Sequence, residues 1–243
     1  MKILTLILLI GISIPSISQE YLKHDQWTSL LQTYVSPTGN VDYKGIKEHE
    51  AELDAYLEVL SKNHPTSEWD KNDHLAFWIN AYNAFTVKLI VKNYPVVSIK
   101  DLGGSIYKVN TPWDEKFIHI GEETYDLNNI EHGIIRKEFN DPRIHFAVNC
   151  ASISCPPLRN EAYVGSKLNA QLDDQAKRFI NVPTKNKITK GKAQLSKIFT
   201  WFKGDFTASG LSIAEFINQY SEVKMTKKTK VTYFDYDWNL NGK

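Results

Sequence analysis

The sequence predicts an α+β fold in which a small antiparallel or mixed sheet packs with helices around a buried central helix. Three observations support this prediction. The first third of the 243 residues has the period of amphipathic helices, the later stretches are short and alternate like strands, and residues 75–87 are apolar on almost every side. Apolar and aromatic residues continue along the whole chain without a linker or a repeat, so we expect a single globular domain over residues 19–243.

The N-terminus has the pattern of a secretory signal peptide. Lys2 precedes an apolar stretch over residues 3–14, and Pro15 and small polar residues follow before Gln19. The apolar stretch is shorter than the roughly 18 residues that an ordinary membrane-spanning helix needs, and no later segment reaches that length. We therefore expect residues 1–18 to be removed and the mature protein to be exported, periplasmic or secreted, without stable membrane insertion. An uncleaved anchor is the alternative.

The first third of the mature chain is predicted to be helical. Residues 20–34 and 46–60 form amphipathic helices, and a turn with Pro and Gly at residues 36–40 separates them. Residues 68–91 form a longer helix that ends before Pro95, because proline removes a backbone donor and restricts the residue before it. The nearly all-apolar segment lies within this third helix.

Short strands and helices follow in the remaining part of the chain. Residues 117–120 and 123–125 flank Gly121 and predict a hairpin, and Asp126 can cap a helix that continues to about Phe139. Beyond it we expect a strand over 144–148, a helix over 166–180, a passage from strand to helix over 194–202, a helix over 212–220 and a last strand over 230–236.

Charge and motifs exclude several classes of partner. Basic and acidic residues number 29 and 28, and the one basic cluster, at residues 224–230, is typical of a solvated loop. We therefore expect no nucleic-acid partner. The sequence contains no phosphate loop, dinucleotide fingerprint or histidine pair of the metalloprotease type, so we predict no cofactor and no metal.

Both cysteines lie in the stretch from Arg143 to Leu158, close to His145. Three interpretations are open. Cys150 and Cys155 could close a disulfide that stabilises the fold by about 2 kcal/mol in the chain-entropy model. Cys150 could instead be a nucleophile with His132 or His145 as its general base. The same cysteines and histidines could also bind zinc, although their spacing fits no common zinc module.

Polar residues on two helices are further candidates for the site. Asn80 and Asn83 share a face of the buried helix, where each amide needs hydrogen-bond partners. They either tie loop carbonyls to this helix or orient a catalytic imidazole. Glu131, His132 and Arg136 lie within two turns of the following helix, a pattern that fits a site and a helix-surface network equally well.

Ordered motifs identify a family resemblance. The chain carries Phe77-Trp78-Ile79-Asn80-Ala81-Tyr82-Asn83-Ala84, residues 127–136 around Ile130-Glu131-His132-Gly133, residues 141–150 ending in Asn149-Cys150, Ser154-Cys155-Pro156-Pro157-Leu158, residues 195–206 and residues 236–241. In this order the chain resembles the domain-of-unknown-function 547 family over roughly residues 71–241. The family has no established reaction. In plant relatives the second cysteine position is often serine, which implies that Cys150 is the better functional candidate.

The resemblance also suggests a plan for the fold. A buried helix on a small sheet, with a histidine and a cysteine on different elements, is similar to the plan of papain-like and transglutaminase-like thiol enzymes. In those enzymes the nucleophile opens the central helix and precedes its histidine, whereas His132 and His145 precede Cys150 here. The analogy survives this difference because triads are defined by geometry and not by chain order.

We therefore predict a thiol-dependent hydrolase or acyltransferase that acts on amide or peptide bonds of the cell envelope or of extracellular material. Cys150 attacks the carbonyl, His132 or His145 transfers the proton, and Glu131 or Asn80 orients the imidazole. The predicted substrate-binding residues are Trp78, Asn83, Arg136, Arg143 and Asn149, and Trp113 could also bound the substrate. The alternative is a non-catalytic envelope module that binds a peptide or protein beside the same loop and uses both cysteines as a disulfide.

Overall fold

Helices form most of the described chain and strands form two small sheets, so the fold is α+β as predicted. The structure is a computed structural model that describes residues 22–102 and 111–243. The predicted signal peptide, residues 1–18, lies outside the described residues. Within the described ranges, none of the helices has both the length and the apolar character that a membrane crossing requires.

Four helices form the N-terminal part of the described chain. They are α1 (Asp25–Tyr34), α2 (Tyr43–Glu48), α3 (Glu50–Lys62) and α4 (Lys71–Asn93). The single helix predicted over 46–60 is therefore two helices that meet at His49. Asp42 caps α2 and Asp70 caps α4, because each carboxylate accepts a backbone N–H in the first turn of its helix.

Helix α4 lies at the centre of the larger hydrophobic cluster. Every residue from Leu75 to Val87 is buried, including Asn80 and Asn83. Helices α2 and α3 pack against α4, as do the later segments 129–135 and 165–167. The prediction of a buried central helix is confirmed.

The strands form one antiparallel hairpin and one mixed sheet. Strands β1 (Ile118–Ile120) and β2 (Glu123–Tyr125) pair as the predicted hairpin, with Ile118 opposite Tyr125. In the second sheet, β3 (Lys187–Thr189) is antiparallel to β4 (Lys192–Leu195), which is parallel to β5 (Lys230–Tyr233).

The helix after the hairpin begins with π-helical geometry. Residues Asn129–Ile135 form the π-helix, and α5 (Arg136–Phe139) continues it. Because a π-helix bonds residue i to i+5, its wider turn places Ile130 and Ile135 in the core. Ile134, which the α-helical period predicts as a core residue, is only partly buried.

The strand predicted over residues 144–148 is wrong. Residues Pro142–Phe146 form a 3-10 helix, which begins where the Asp141 carboxylate accepts the Arg143 backbone N–H. An aspartate cap followed by proline is a strong signal for the start of a helix, and it outweighs the alternation of Ile144 and Phe146. His145 is buried like its neighbours Ile144 and Phe146.

The C-terminal part is built from shorter elements. Its helices are α6 (Leu168–Ile180), α7 (Ile198–Trp201), α8 (Lys203–Thr207) and α9 (Ile213–Tyr220), and further 3-10 turns lie at Ile99–Leu102, Pro112–Asp114 and Gly165–Lys167. Phenylalanines of this part form a second hydrophobic cluster, which Phe146 joins. Since Ile144 and Ala147 belong to the cluster around α4, the two clusters meet at the segment that leads to the cysteines.

Candidate active site

A cavity of about 200 Å³ lies beside the cysteine loop, residues 149–156, where the two hydrophobic clusters meet. It brings together four of the residues predicted to be catalytic: Cys150, His132, His145 and Glu131. The remaining lining is largely aromatic, and the complete set adds Tyr82, Trp113, Asn128, Val148, Cys155, Pro156, Ile198, Trp201, Phe202, Tyr236 and Trp238.

Two buried amides fix the cysteine loop on the central helix. Asn83 accepts the backbone N–H of Asn149 at 2.8 Å and donates to the Ala147 carbonyl at 2.9 Å. The Asn149 side chain donates to the Pro156 carbonyl at 2.7 Å and accepts the Ala151 N–H at 2.9 Å. Both side chains, predicted to bind substrate, therefore hold backbone groups of the loop.

The backbone after Cys150 is held in an uncommon conformation. Ala151 has φ +58°, in the left-handed region that costs a residue with a Cβ of the order of 1–2 kcal/mol. The C-terminal segment, residues 236–241, fixes this turn, because Ile153 N–H donates to the Asn239 carbonyl at 2.8 Å and Ser154 N–H to the Asp237 carbonyl at 3.1 Å. The Cys150 thiol is thereby presented at the cavity wall.

Three groups surround the Cys150 sulfur. Its Sγ lies 2.8 Å from Cys155 Sγ, 3.2 Å from Ser152 Oγ and 3.3 Å from Tyr236 Oη, and both cysteines are thiols. Burial raises the pKa of Cys150, but hydrogen bonds from these three groups outweigh it and leave the pKa below its ordinary value. Burial and the adjacent Cys150 sulfur raise the pKa of Cys155 well above its ordinary value. Cys150 is therefore the thiol that ionises first.

His145 is oriented by a carboxylate from helix α8. Its Nε2 lies 2.7 Å from Asp205 Oδ2, and its ring stacks on Phe202 with the centroids 3.9 Å apart. Burial lowers the pKa of His145 even though Asp205 opposes this shift, so the imidazole is neutral at pH 7. Nε2 then donates to Asp205, and Nδ1 keeps the lone pair. Nδ1 is itself buried, and among the described residues it has no hydrogen-bond partner.

Arg136 connects the two histidines through Asp205. Its Nε and Nη2 donate to the carboxylate at 2.7 and 3.0 Å, and its Nη1 donates to His132 Nδ1 at 3.0 Å. The hydrogen bonds from His145 and Arg136 hold the pKa of Asp205 well below its usual range. Since arginine only donates, neutral His132 carries its proton on Nε2. Arg136 and Asp205 thus join the two histidines of the cavity in one hydrogen-bonded network.

Glu131 lines the cavity beside His132. Its carboxylate is buried, adds to the effect of burial in raising the pKa of Tyr82, and lies 3.9 Å from His132 Nδ1. The carboxylate that hydrogen-bonds the buried imidazole is Asp205. The amide of Asn80 exchanges two hydrogen bonds with the Tyr163 backbone, at 2.8 and 2.9 Å, and so does not orient an imidazole.

Three of the predicted substrate-binding residues lie elsewhere or have other partners. Trp78 is buried against Phe77 and Tyr125 and does not line the cavity. Arg143 is engaged by the carboxylates of Asp141 and Asp173. Arg136 borders the site but holds Asp205, as described above. Trp113, by contrast, does line the cavity.

The sequence did not single out Asp205, Ser152 or Tyr236 as site residues. Asp205 lies 60 positions after His145, and Tyr236 lies 86 positions after Cys150, so only the folded chain brings them together. The one signal in the sequence for Asp205 was its place in the motif at 195–206, and the one signal for Tyr236 was its place in the motif at 236–241. In the part of the chain that the structure describes, no group of three or more His, Cys, Asp or Glu side chains is placed to hold a metal ion.

Comparison with known proteins supports the resemblance without assigning an activity. No curated protein and no solved structure matches the chain, so the papain-like or transglutaminase-like plan stays a prediction. A family match covers residues 66–180, which include both cysteines and both cavity histidines but end before Asp205 and Tyr236. Over these residues the chain matches the family described as protein of unknown function, DUF547.

Proposed function

We propose that the protein is a thiol-dependent hydrolase or acyltransferase with Cys150 as its nucleophile. The observation that carries this proposal is the convergence, in one cavity, of an acidified thiol with a neutral imidazole that a carboxylate orients. A thiol, an imidazole base and a group that fixes the base are the parts that covalent acyl chemistry requires.

The sulfur attacks the carbonyl carbon of an amide or ester. As the C–S bond forms, the carbonyl π electrons move to oxygen, and the thiol proton passes to Nδ1 of His145. Asp205 stabilises the imidazolium, which then protonates the leaving group: the amine as the C–N bond of an amide breaks, or the alkoxide as the C–O bond of an ester breaks. Water, deprotonated by His145, hydrolyses the thioester, or a second nucleophile accepts the acyl group. The present partners of Cys150 Sγ are a thiol and two hydroxyls, and His145 Nδ1 is buried. The first step therefore requires Cys150 to turn towards the imidazole and Nδ1 to become accessible from the cavity.

His132 has a separate task in this scheme. His132 lines the cavity and its Nδ1 accepts from Arg136, so we propose that its other ring nitrogen, Nε2, donates a hydrogen bond to the substrate. A donor of this kind stabilises the oxyanion of the tetrahedral intermediate, a contribution of about 3 kcal/mol in well-studied acyl enzymes. The arrangement therefore divides the two histidines between proton transfer and charge stabilisation.

The cavity favours a small, apolar acyl group. Its volume of about 200 Å³ is below the roughly 300–1,000 Å³ of sites that enclose whole drug-sized ligands. Trp201, Tyr236 and Trp238 form a contiguous aromatic wall, with ring centroids 4.5 to 6.0 Å apart. We therefore propose amide or peptide substrates that place one side chain or short acyl group in the cavity. Because residues 1–18 resemble a signal peptide, we place this activity in the periplasm or outside the cell.

Acylation by p-nitrophenyl acetate tests the proposal. We expect reduced protein to release more than one p-nitrophenol per chain, with an acetyl group on the peptide that contains Cys150. Cys150→Ser should abolish the release, and Asp205→Asn should reduce it at least tenfold because His145 loses its orienting partner. Asp235→Asn is the matched control, since Asp235 is a fully exposed carboxylate outside the cavity. A single stoichiometric acetylation that Asp205→Asn leaves unchanged would refute catalysis.

Alkylation of unreduced protein distinguishes the non-catalytic alternative. The contact between Cys150 and Cys155 favours a disulfide in an oxidising compartment, which is the observation behind that alternative. If iodoacetamide labels neither cysteine until a reductant is added, and the reduced protein still shows no turnover, the envelope-module interpretation is correct. Selective labelling of Cys150 near neutral pH supports the enzyme.

A further inference from the structure

We infer that Cys155 is a resolving thiol for Cys150, and that the pair performs thiol–disulfide exchange with low-molecular-weight disulfides. This activity needs the Cys150 nucleophile but not the pair formed by His145 and Asp205. It is therefore separable from the proposed acyl chemistry. The inference rests on the placement of both sulfurs in one cavity and on the way in which the loop between them is held.

The two thiols are arranged as an attacking group and its partner. Both sulfurs line the cavity, but Cys150 is half-buried whereas Cys155 is 5% exposed. The backbone N–H of Cys150 donates to Cys155 Sγ at 2.9 Å, which fixes the second sulfur beside the first. An incoming disulfide therefore meets Cys150 first, and Cys155 stands within reach of any sulfur that becomes attached to it.

The loop between the cysteines does not depend on a disulfide. Asn149 ties both of its ends, and residues 153 and 154 bond to the C-terminal segment while both thiols are reduced. A bridge across so short a loop would add only about 2 kcal/mol in the chain-entropy model. The disulfide between Cys150 and Cys155 can consequently form and break while the backbone of the loop keeps its conformation. A site for thiol–disulfide exchange requires this.

The difference in acidity between the thiols supports the assignment of roles. The pKa of Cys150 lies below its ordinary value, because the hydroxyls of Ser152 and Tyr236 and the Cys155 thiol stabilise its thiolate against the effect of burial. The pKa of Cys155 lies well above its ordinary value. A thiolate attacks disulfides and a thiol does not, so the first attack belongs to Cys150.

The exchange balances in two steps. The Cys150 thiolate attacks one sulfur of R–S–S–R, the S–S bond breaks, and R–S⁻ leaves while a mixed disulfide remains on Cys150. Cys155 then gives its proton to the R–S⁻ released in the first step, and its thiolate attacks the Cys150 sulfur. A bond between Cys150 and Cys155 forms as the bond from Cys150 to the second R–S group breaks, and the second R–S⁻ leaves. The protein loses two electrons and the disulfide gains them. The small cavity with its aromatic wall suits a low-molecular-weight disulfide with an apolar or aromatic group.

Reaction of the reduced full chain with 5,5′-dithiobis(2-nitrobenzoate) tests the inference by stoichiometry. We expect the wild-type protein to release two coloured thiolates and to carry no adduct in its intact mass. Cys155→Ser should release one coloured thiolate and keep a mixed disulfide on Cys150. Cys150→Ser should release its coloured thiolate more slowly than the wild type, because it lacks the attacking thiol. A wild-type protein that retains the adduct would overturn the inference, and this measurement needs no variant to fold.

Asp205→Asn separates this inference from the proposed acyl function. Asp205 contacts His145 and Arg136 but neither sulfur, so the variant should still release two thiolates. Release of two thiolates without esterase turnover in the wild type would support the exchange activity and refute the acyl activity. Esterase turnover in a wild-type protein that retains the mixed disulfide on Cys150 would support the acyl activity and refute the role of Cys155 as a resolving thiol.

Discussion

Tyr236 contributes to the acidity of Cys150 through its hydroxyl, which lies 3.3 Å from the sulfur. A hydrogen bond to a charged group stabilises it by roughly 1.5–3 kcal/mol, and one pKa unit corresponds to 1.36 kcal/mol. Tyr236→Phe should therefore raise the pKa of Cys150 by about one to two units, as measured by the pH dependence of iodoacetamide alkylation. Tyr233→Phe, an exposed tyrosine on β5, is the control. Equal profiles for both variants would show that the Tyr236 hydroxyl does not stabilise the thiolate.

His24 makes the stability of the protein depend on pH. It is buried, its Nδ1 lies 2.7 Å from the Tyr56 hydroxyl, and burial lowers its pKa to about 4 although Asp25 opposes the shift. In the unfolded chain the pKa is near 6.5, so between these values the unfolded state binds a proton that the folded state excludes. The resulting stability is complete above pH 6.5 and is lost as the pH falls towards 4.

His24→Gln should remove this dependence. The free energy of unfolding of the wild type should fall, relative to that of the variant, by at most roughly 3 kcal/mol between pH 6.5 and 4. Urea unfolding at several pH values measures the difference, and His64→Gln provides an exposed histidine as control. Parallel curves for wild type and His24→Gln would mean that His24 takes up its proton without unfolding.

At the scale of elements, the π-helix Asn129–Ile135 positions two of the cavity residues. Its wide turn buries Ile130 and Ile135 and leaves Glu131 and His132 on the cavity side. Gly133 lies within this element, and a Cβ added there would meet no atom within 4 Å. Alanine is preferred to glycine in helices by about 1 kcal/mol, so there is room to stabilise the element without changing the site.

Gly133→Ala should raise the free energy of unfolding by about 0.5–1 kcal/mol and leave Cys150 alkylation unchanged. Thermal and urea unfolding measure the gain. Gly165→Ala is the opposing control, since its added Cβ would overlap the Asp73 carboxylate and backbone. The explanation fails if both substitutions change the stability in the same direction.

The sequence predicted those elements whose signals are local. The hairpin was predicted from the turn residues around Gly121, and the buried helix α4 from an unbroken run of apolar residues. Both signals come from residues that are neighbours in the sequence. The segment Pro142–Phe146 was misassigned because three residues of alternation resemble a strand. The break at His49 was missed because the apolar period of α3 extends backwards into α2. A short element is decided by its cap and its tertiary contacts more than by its period.

At the scale of the whole molecule, the site is assembled from three distant parts of the chain. The cysteine loop and the histidines could be singled out because they lie within 24 residues, from His132 to Cys155. Asp205 and Tyr236 could not, since no rule of spacing relates α8 or the C-terminal segment to Cys150. The amide of Asn83 was predicted as buried, but its attachment to the Asn149 backbone required the folded chain.

The C-terminal segment closes the structure by joining the first helices to the cysteine loop. Asn241 accepts from the Tyr43 hydroxyl at 2.7 Å, donates through Nδ2 to Asn149 Oδ1 at 3.3 Å, and donates its backbone N–H to the Ala151 carbonyl at 3.3 Å. Tyr43 lies 198 positions earlier in the chain and is fully buried. One side chain therefore connects helix α2, the C-terminus and the loop that carries Cys150.

Asn241→Leu should lower the free energy of unfolding by about 2–3 kcal/mol, because it leaves the buried Tyr43 hydroxyl without this acceptor and withdraws a donor from Asn149. The loss should be smaller in a Tyr43→Phe background, where no hydroxyl needs a partner, and this double-mutant cycle isolates the interaction between Tyr43 and Asn241.

Asn63→Leu, at an exposed helix end, is the control and should change the free energy of unfolding by no more than about 0.5 kcal/mol. Alkylation of Cys150 should need a higher pH in Asn241→Leu, since the loop that holds its hydrogen-bond partners is loosened. Equal losses in both backgrounds would show that Tyr43 and Asn241 stabilise the fold independently.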